Sequence, residues 1–226
     1  QNPDDLALFE QARLVDAAQV RLIPGSGVDC ARFLARPEGT RDGPLRVLLA
    51  ARLLWDKGIA EYIVAARRLR GEGRALRFLL AGDRDPGNPA AVPEATVREW
   101  VAEGVVEWLG HVDDMPALFA SVDVVALPSY REGLPKSLIE AAACALPLVT
   151  TDVPGCREVV TDGVDGLLVP ARDAGALATA IARLQDDPEL AACLGAAARA
   201  KALAEYDEKI VIARTLAVYR ELLPAP

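Results

Sequence analysis

The stretch Val122-Asp123-Val124-Val125-Ala126-Leu127-Pro128-Ser129-Tyr130-Arg131-Glu132-Gly133-Leu134-Pro135-Lys136-Ser137-Leu138-Ile139-Glu140 decides how this chain folds. Its first eight residues are an apolar run closed by Pro-Ser, the pattern of a buried strand. Gly133-Leu134-Pro135 is a turn, and the chain then enters an uncharged, alanine-rich helix through Ala141–Leu146. Pro135 cannot donate a hydrogen bond and suits a helix start. The product is a strand, a tight turn and a helix N-terminus flanked by Glu132 and Glu140. Backbone N–H groups at such a start face an anion, and carboxylates accept hydrogen bonds from vicinal hydroxyls. Nucleotide sugars carry both groups. Taken singly, the glutamates equally fit a turn carboxylate and a helix ion-pair partner. Glu140, however, lies among Leu138, Ile139 and alanines, a poor setting for an unpaired charge.

Working outward, strand and helix patterns alternate, as in a parallel sheet covered on both faces. Strands are predicted at 45–51, 76–82, 105–109, 122–127, 146–151 and 166–169. Helices are predicted at 58–70, 94–103, 114–120, 136–144, 155–160, 174–185, 189–204 and 208–222. The fold class is therefore α/β, a Rossmann-like doubly wound parallel sheet of about six strands. The ends differ: 4–17 reads as a helix, 20–24 as a short strand and 36–44 as a Pro/Gly-rich linker. We expect three parts: 1–19 as the tail of a preceding domain, 20–206 as the main domain, and 207–226 as a C-terminal helix returning toward that partner. The one methionine is Met115, so Gln1 is not an encoded start and a severed partner domain is expected.

The bulk properties exclude several functions. Across 226 residues the net charge is −8, which supplies no basic field for nucleic acid. No run approaches the roughly 20 apolar residues of a membrane span. Cys30, Cys144, Cys156 and Cys193 form no Cys-x-x-Cys pair, and His111 is the sole histidine. Reduced, mostly buried thiols and a cytosolic setting follow, with no zinc site. Asp83-Arg84-Asp85 imitates an Asp-x-Asp metal motif but opens a Pro/Gly loop. Asp113 and Asp114 read as helix caps, and Trp55, Trp100 and Trp108 as packing residues. Cys156 follows a Pro-Gly turn with no base placed beside it, so packing is its expected role. No Gly-x-Gly-x-x-Gly follows the first strand, which argues against a dinucleotide cofactor.

The first strand ends in Ala51-Arg52-Leu53-Leu54-Trp55-Asp56-Lys57-Gly58. Loops at the carboxyl edge of a parallel sheet are where such sheets bind ligands. Arg52 offers a planar fork of donors and Lys57 a point charge, which suits a diphosphate but also an ordinary solvated loop.

As a set, the Arg-x4-Lys-Gly loop, the Glu-x7-Glu element and Gly27-Val28-Asp29 resemble the retaining glycosyltransferases of family 4. Gly110-His111-Val112, Pro154-Gly155-Cys156-Arg157-Glu158 and Gly163-Val164-Asp165-Gly166 add to the likeness, which runs over 20–206. Gln1-Asn2-Pro3-Asp4-Asp5, Pro24–Asp29 and Pro128–Gly133 are similar to the bacterial subgroup that adds N-acetylhexosamines to polyprenyl-diphosphate-linked sugars. The resemblance implies the C-terminal half of a GT-B enzyme, which binds the nucleotide sugar while an N-terminal half binds the acceptor. It implies that Arg52 and Lys57 hold the donor diphosphate, that Glu132 faces the sugar hydroxyls, and that Glu140 accepts from the ribose diol. Gly27 and the backbone N–H groups of Gly133, Leu134, Lys136 and Ser137 would line the donor, and His111-Val112 would flank the base.

The expected donor is a UDP-sugar, with no metal or other cofactor. The acceptor would be lipid-linked or a surface glycan, handled in the cytoplasm or at the inner face of the plasma membrane. Two other readings remain: a sugar epimerase or phosphorylase on the same fold, and a non-catalytic nucleotide-binding domain. By itself the chain is expected to be inactive.

Overall fold

In a computed structural model describing residues 1–25, 27–35 and 43–223, the run Leu45–Ala50 forms β1, buried at five of its six positions. Five further strands join it: β2 (Leu76–Ala81), β3 (Glu107–Gly110), β4 (Val124–Leu127), β5 (Leu148–Thr151) and β6 (Leu167–Val169). All pairings are parallel, in the order β3-β2-β1-β4-β5-β6. Central strands β4 and β5 are buried at every residue, as expected where helices cover both faces.

The helices are α1 (Pro3–Gln11), α2 (Ile59–Gly71), α3 (Glu94–Glu103), α4 (Met115–Ala120), α5 (Lys136–Ala143), α6 (Cys156–Val159), α7 (Ala174–Asp186), α8 (Pro188–Lys201) and α9 (Glu208–Leu222). Two cores result. Residues of α2, α3 and α7 pack in one core and those of α4, α5 and α6 in the other, while α8 gives Ala191 and Leu194 to the first and Ala198 to the second. Tyr62 is fully buried in the first core, where its hydroxyl donates to the Val47 and Leu79 carbonyls at 2.8 and 3.0 Å. That satisfies a polar group which burial would otherwise penalise.

Several expectations need correction. Residues 20–24 form no strand, and only Val28, beyond them, makes a bridge, pairing with Asp207 at the head of α9. A strand needs a neighbour, and this segment pairs with neither edge strand, β3 or β6. The first helix stops at Gln11 rather than continuing to residue 17. Val105 and Val106 are buried but precede β3, whose pairing opens at Glu107 opposite Leu79. The expected linker at 36–44 lies almost wholly outside the described residues. The predicted break at Tyr206-Asp207 is present, with a π-helical turn at Ala202–Tyr206 ending α8 and Asp207 capping α9.

Candidate functional site

The sheet reverses its strand order between β1 and β4, the place where parallel sheets of this kind bind ligands at their carboxyl edge. The β1 loop carries Lys57 and the β4 loop carries Glu132. Their side chains meet, Nζ to Oε1 2.6 Å, at 19 % and 11 % exposure. Backbone contacts explain why. Tyr130 N–H and Ser129 Oγ both donate to the Asp56 carbonyl, at 2.8 and 3.0 Å. Gly58, with φ +70°, lies so close to Pro128 that a Cβ would sit 2.0 Å from its carbonyl oxygen. Only glycine permits both that approach and that backbone angle.

The β4 loop is fixed from its other side as well. Glu132 N–H donates to the Pro154 carbonyl at 3.1 Å. Gly155, at φ +82°, presses on the same turn, where a Cβ would stand 2.4 Å from the Glu132 carbonyl oxygen. The carbonyls of Glu132 and Gly133 accept from the Asn2 amide at 3.4 and 2.7 Å. The N–H groups of Gly133 and Leu134 find no acceptor among the described residues. Pro135 offers α5 no side-chain cap, so the N–H groups of Lys136 and Ser137 in its first turn are open too. Four backbone donors are therefore open within residues 133–137, a set suited to an anion.

Glu140 lies one turn further along α5, its side chain 12 % exposed and 3.7 Å from Lys136 Nζ. Burial raises its pKa above the ordinary carboxylate value, and Lys136 opposes the shift. Such a carboxylate is under-solvated and gains from any donor brought to it.

Other predicted residues stand apart from this cluster. Arg52 is 64 % exposed and pairs with Asp85 at 2.8 Å, which gives the Asp-x-Asp look-alike a cation partner. His111 lies between Asp83 and Asp113, at 2.7 and 3.1 Å, and its hydrogen bond to the Asp83 carboxylate leads in raising its pKa. Asp114 alone caps α4, so the reading of Asp113 as a second cap is corrected: its carboxylate is turned to His111 instead. Val112 packs against the second core. Gly27 rests on Glu208 at the start of α9, while its neighbour Gly25 touches Leu134 in the β4 loop.

Trp55 and Trp100 pack edge to face at 6.0 Å. Burial pushes the Cys156 thiol up to about 11, leaving it protonated and unreactive at neutral pH. Cys30 and Cys144 are buried as well, and Cys193 is exposed. Among the described residues no group of three or more His, Cys, Asp and Glu side chains is placed to hold a metal.

Two participants escaped the sequence reading. Asn2 caps α1 ahead of Pro3, and nothing in the sequence showed what else it would touch. Tyr130 donates to the Glu61 carboxylate at 2.8 Å, and its ring carries the Arg172 guanidinium at 4.0 Å. Both join residues far apart in the chain. An open cleft lined by Asp5, Asp56, Tyr130, Arg131, Glu132, Gly133 and Arg172 adjoins the Lys57–Glu132 pair.

Comparison with known proteins bears on what this site handles. Residues 44–187 match the family model described as glycosyl transferases group 1. A Campylobacter jejuni N,N'-diacetylbacillosaminyl-diphospho-undecaprenol alpha-1,3-N-acetylgalactosaminyltransferase is 35 % identical over 177 residues, covering 78 % of this chain and 45 % of that protein. Glycogen synthase of Mycobacterium tuberculosis is 30 % identical over 204 residues, covering 86 % and 47 %. The chain thus spans about half the length of these relatives. Among solved structures, sucrose-phosphate synthase from Thermosynechococcus elongatus superposes with a TM-score of 0.85 at 29 % identity, over 98 % of this chain and 57 % of that one. Anabaena Alr3699/HepE in complex with UDP gives 0.81 at 26 %, over 94 % and 61 %. The C-terminal domain of a Francisella tularensis group 1 glycosyl transferase shares the fold, at 0.68 and 19 %, over 80 % of this chain and 99 % of that domain.

Proposed function

This chain belongs to the glycosyl transferases group 1 family, and on that premise we propose that it is the donor-binding half of a retaining glycosyltransferase. It binds a UDP-sugar, and a partner half supplies the acceptor. The observation that carries this reading is the meeting of Lys57 and Glu132 beside four open backbone N–H groups. Lys57 and those N–H groups receive the diphosphate, Glu132 faces the sugar hydroxyls, and Glu140 accepts from the ribose diol. Arg52 exchanges Asp85 for phosphate when the donor arrives. Gly27 and the backbone at His111-Val112 complete the donor's surroundings. The transferred sugar is an N-acetylhexosamine and the acceptor a polyprenyl-linked or surface glycan, a choice supported by the activity in the Campylobacter relative's name. A lipid-linked acceptor sets the reaction at the cytoplasmic face of the plasma membrane. No helix among the described residues is long and apolar enough to cross that membrane itself.

Transfer with retention leaves a diphosphate whose growing charge must be stabilised. Arg52, Lys57 and the α5 N-terminus do this without a metal. A fixed donor aimed at developing charge contributes about 3 kcal/mol. A helix terminus alone gives roughly 0.3–2 kcal/mol, so the cations dominate. The acceptor half packs against α9, which exposes Ile212, Leu216 and Tyr219 along one side. The test is sugar transfer by this chain joined to its acceptor half. Lys57→Ala or Arg52→Ala should lower turnover roughly a hundredfold, and wild-type turnover in the variants would refute the assignment.

A further inference from the structure

Asn2 is fully buried, although it lies one residue from the start of the described chain. Every polar atom of its side chain is engaged. Oδ1 accepts from Asp5 N–H at 2.8 Å and caps α1. Nδ2 donates to Asp5 Oδ2 at 2.8 Å and to the carbonyls of Gly133 and Glu132 at 2.7 and 3.4 Å. Two ion pairs brace the contact, Asp5 with Arg131 and Asp4 with Arg157 at 3.5 Å. The head of α1 is thereby clamped onto the loop that holds Glu132.

The C=O and N–H of a trans peptide point in opposite directions. A carbonyl held at Asn2 therefore turns the N–H of the same peptide unit away from Asn2. Holding the Glu132 carbonyl aims the Gly133 N–H, and holding the Gly133 carbonyl aims the Leu134 N–H. These are two of the four donors left open for an anion. The Glu132 N–H is already committed to Pro154 on the far side, so the loop has little freedom to turn otherwise.

We propose that Asn2 is a positioning residue for the donor site: through the Glu132 and Gly133 carbonyls it presents the Gly133 and Leu134 N–H groups to the donor diphosphate. This rests on the proposed function and extends it, because it makes the segment ahead of the main sheet a working part of donor binding. The chemistry requires an amide at position 2. Aspartate caps α1 equally well but has no donor, and it would set a carboxylate against two carbonyls and Asp5.

The experiment is a UDP titration of the chain, read by calorimetry and by 15N amide shifts, for wild type, Asn2→Asp and Asn2→Ser. In the wild type the Gly133 and Leu134 amide signals should move on adding UDP. Asn2→Asp should weaken UDP binding about tenfold or more, as loss of a buried hydrogen bond typically does, and should quench those shifts. Asn2→Ser, which keeps the cap without the reach, should do likewise even where its melting temperature matches the wild type. Unchanged UDP affinity in a folded variant overturns the role of Asn2 alone. UDP binding by the wild type without movement of the two signals also overturns it, whether or not either variant folds. No UDP binding by the wild type overturns the proposed function, and the role of Asn2 with it.

Discussion

Lys57 and Glu132 neutralise each other at 2.6 Å in a largely desolvated place. Removing one partner of such a pair is costly, because it leaves an uncompensated charge behind. Glu132→Ala should therefore lower the melting temperature, whereas Lys57→Ala/Glu132→Ala should recover part of that loss. A thermal double-mutant cycle measures the coupling, and strict additivity would deny it. Glu140 behaves in the opposite way. Burial raises its pKa, so the folded state holds its proton to higher pH than the unfolded chain does. Ionised Glu140 thus disfavours folding above the unfolded carboxylate pKa, and that penalty fades as pH falls. Glu140→Gln should raise the melting temperature at neutral pH while weakening UDP binding by roughly ten- to a hundredfold, the scale of a hydrogen bond to a charged group. Calorimetric melting and UDP titration check both halves. His111 is held above its ordinary 6.5 by Asp83 and Asp113. Its favourable contacts are complete below the unfolded pKa and are lost as pH rises through the folded one. An NMR titration should find its midpoint above 6.5, and Asp83→Asn should bring it down.

At the scale of elements, the strand–turn–helix at 122–144 was the most legible part of the chain. An apolar run, a Gly-Leu-Pro turn and an alanine-rich helix all signal the same local structure, and each acts over a few residues. The segment 20–24 was misread because Val20-Arg21-Leu22-Ile23 has strand composition, while a strand also needs a partner, and this segment pairs with no strand of the sheet. The Lys57–Glu132 contact joins loops 75 residues apart and was legible only as two separate roles. Asn2 against Gly133, 131 residues apart, and Tyr130 against Glu61 left no local signal at all. The turn at Pro154-Gly155 carries a prediction of its own. Gly155→Ala would force a Cβ into the Glu132 carbonyl at an unfavourable φ, so a loss of more than about 1 kcal/mol is expected. Urea unfolding measures it, and an unchanged midpoint would contradict the close approach.

On the scale of the whole molecule, a six-stranded sheet with two cores accounts for a folded domain, and the site sits on its rim rather than inside it. The rim loops after β1, β4 and β5 gather the charged side chains and open N–H groups, while the facing wall is left to whatever stands opposite. That asymmetry fits a chain spanning about half the length of its relatives. On the proposed function the labour is divided: this chain would recognise the nucleotide diphosphate, and the reaction would await an acceptor. Binding is therefore the property the chain should show unaided. The most direct measurement is calorimetric titration of the 226-residue chain with UDP, repeated with Lys57→Ala. The account predicts saturable one-to-one binding to the wild type, weakened at least tenfold by the substitution, on the scale of a lost charge-assisted hydrogen bond. A folded wild-type chain that takes up no UDP, or binds it equally well without Lys57, would contradict it.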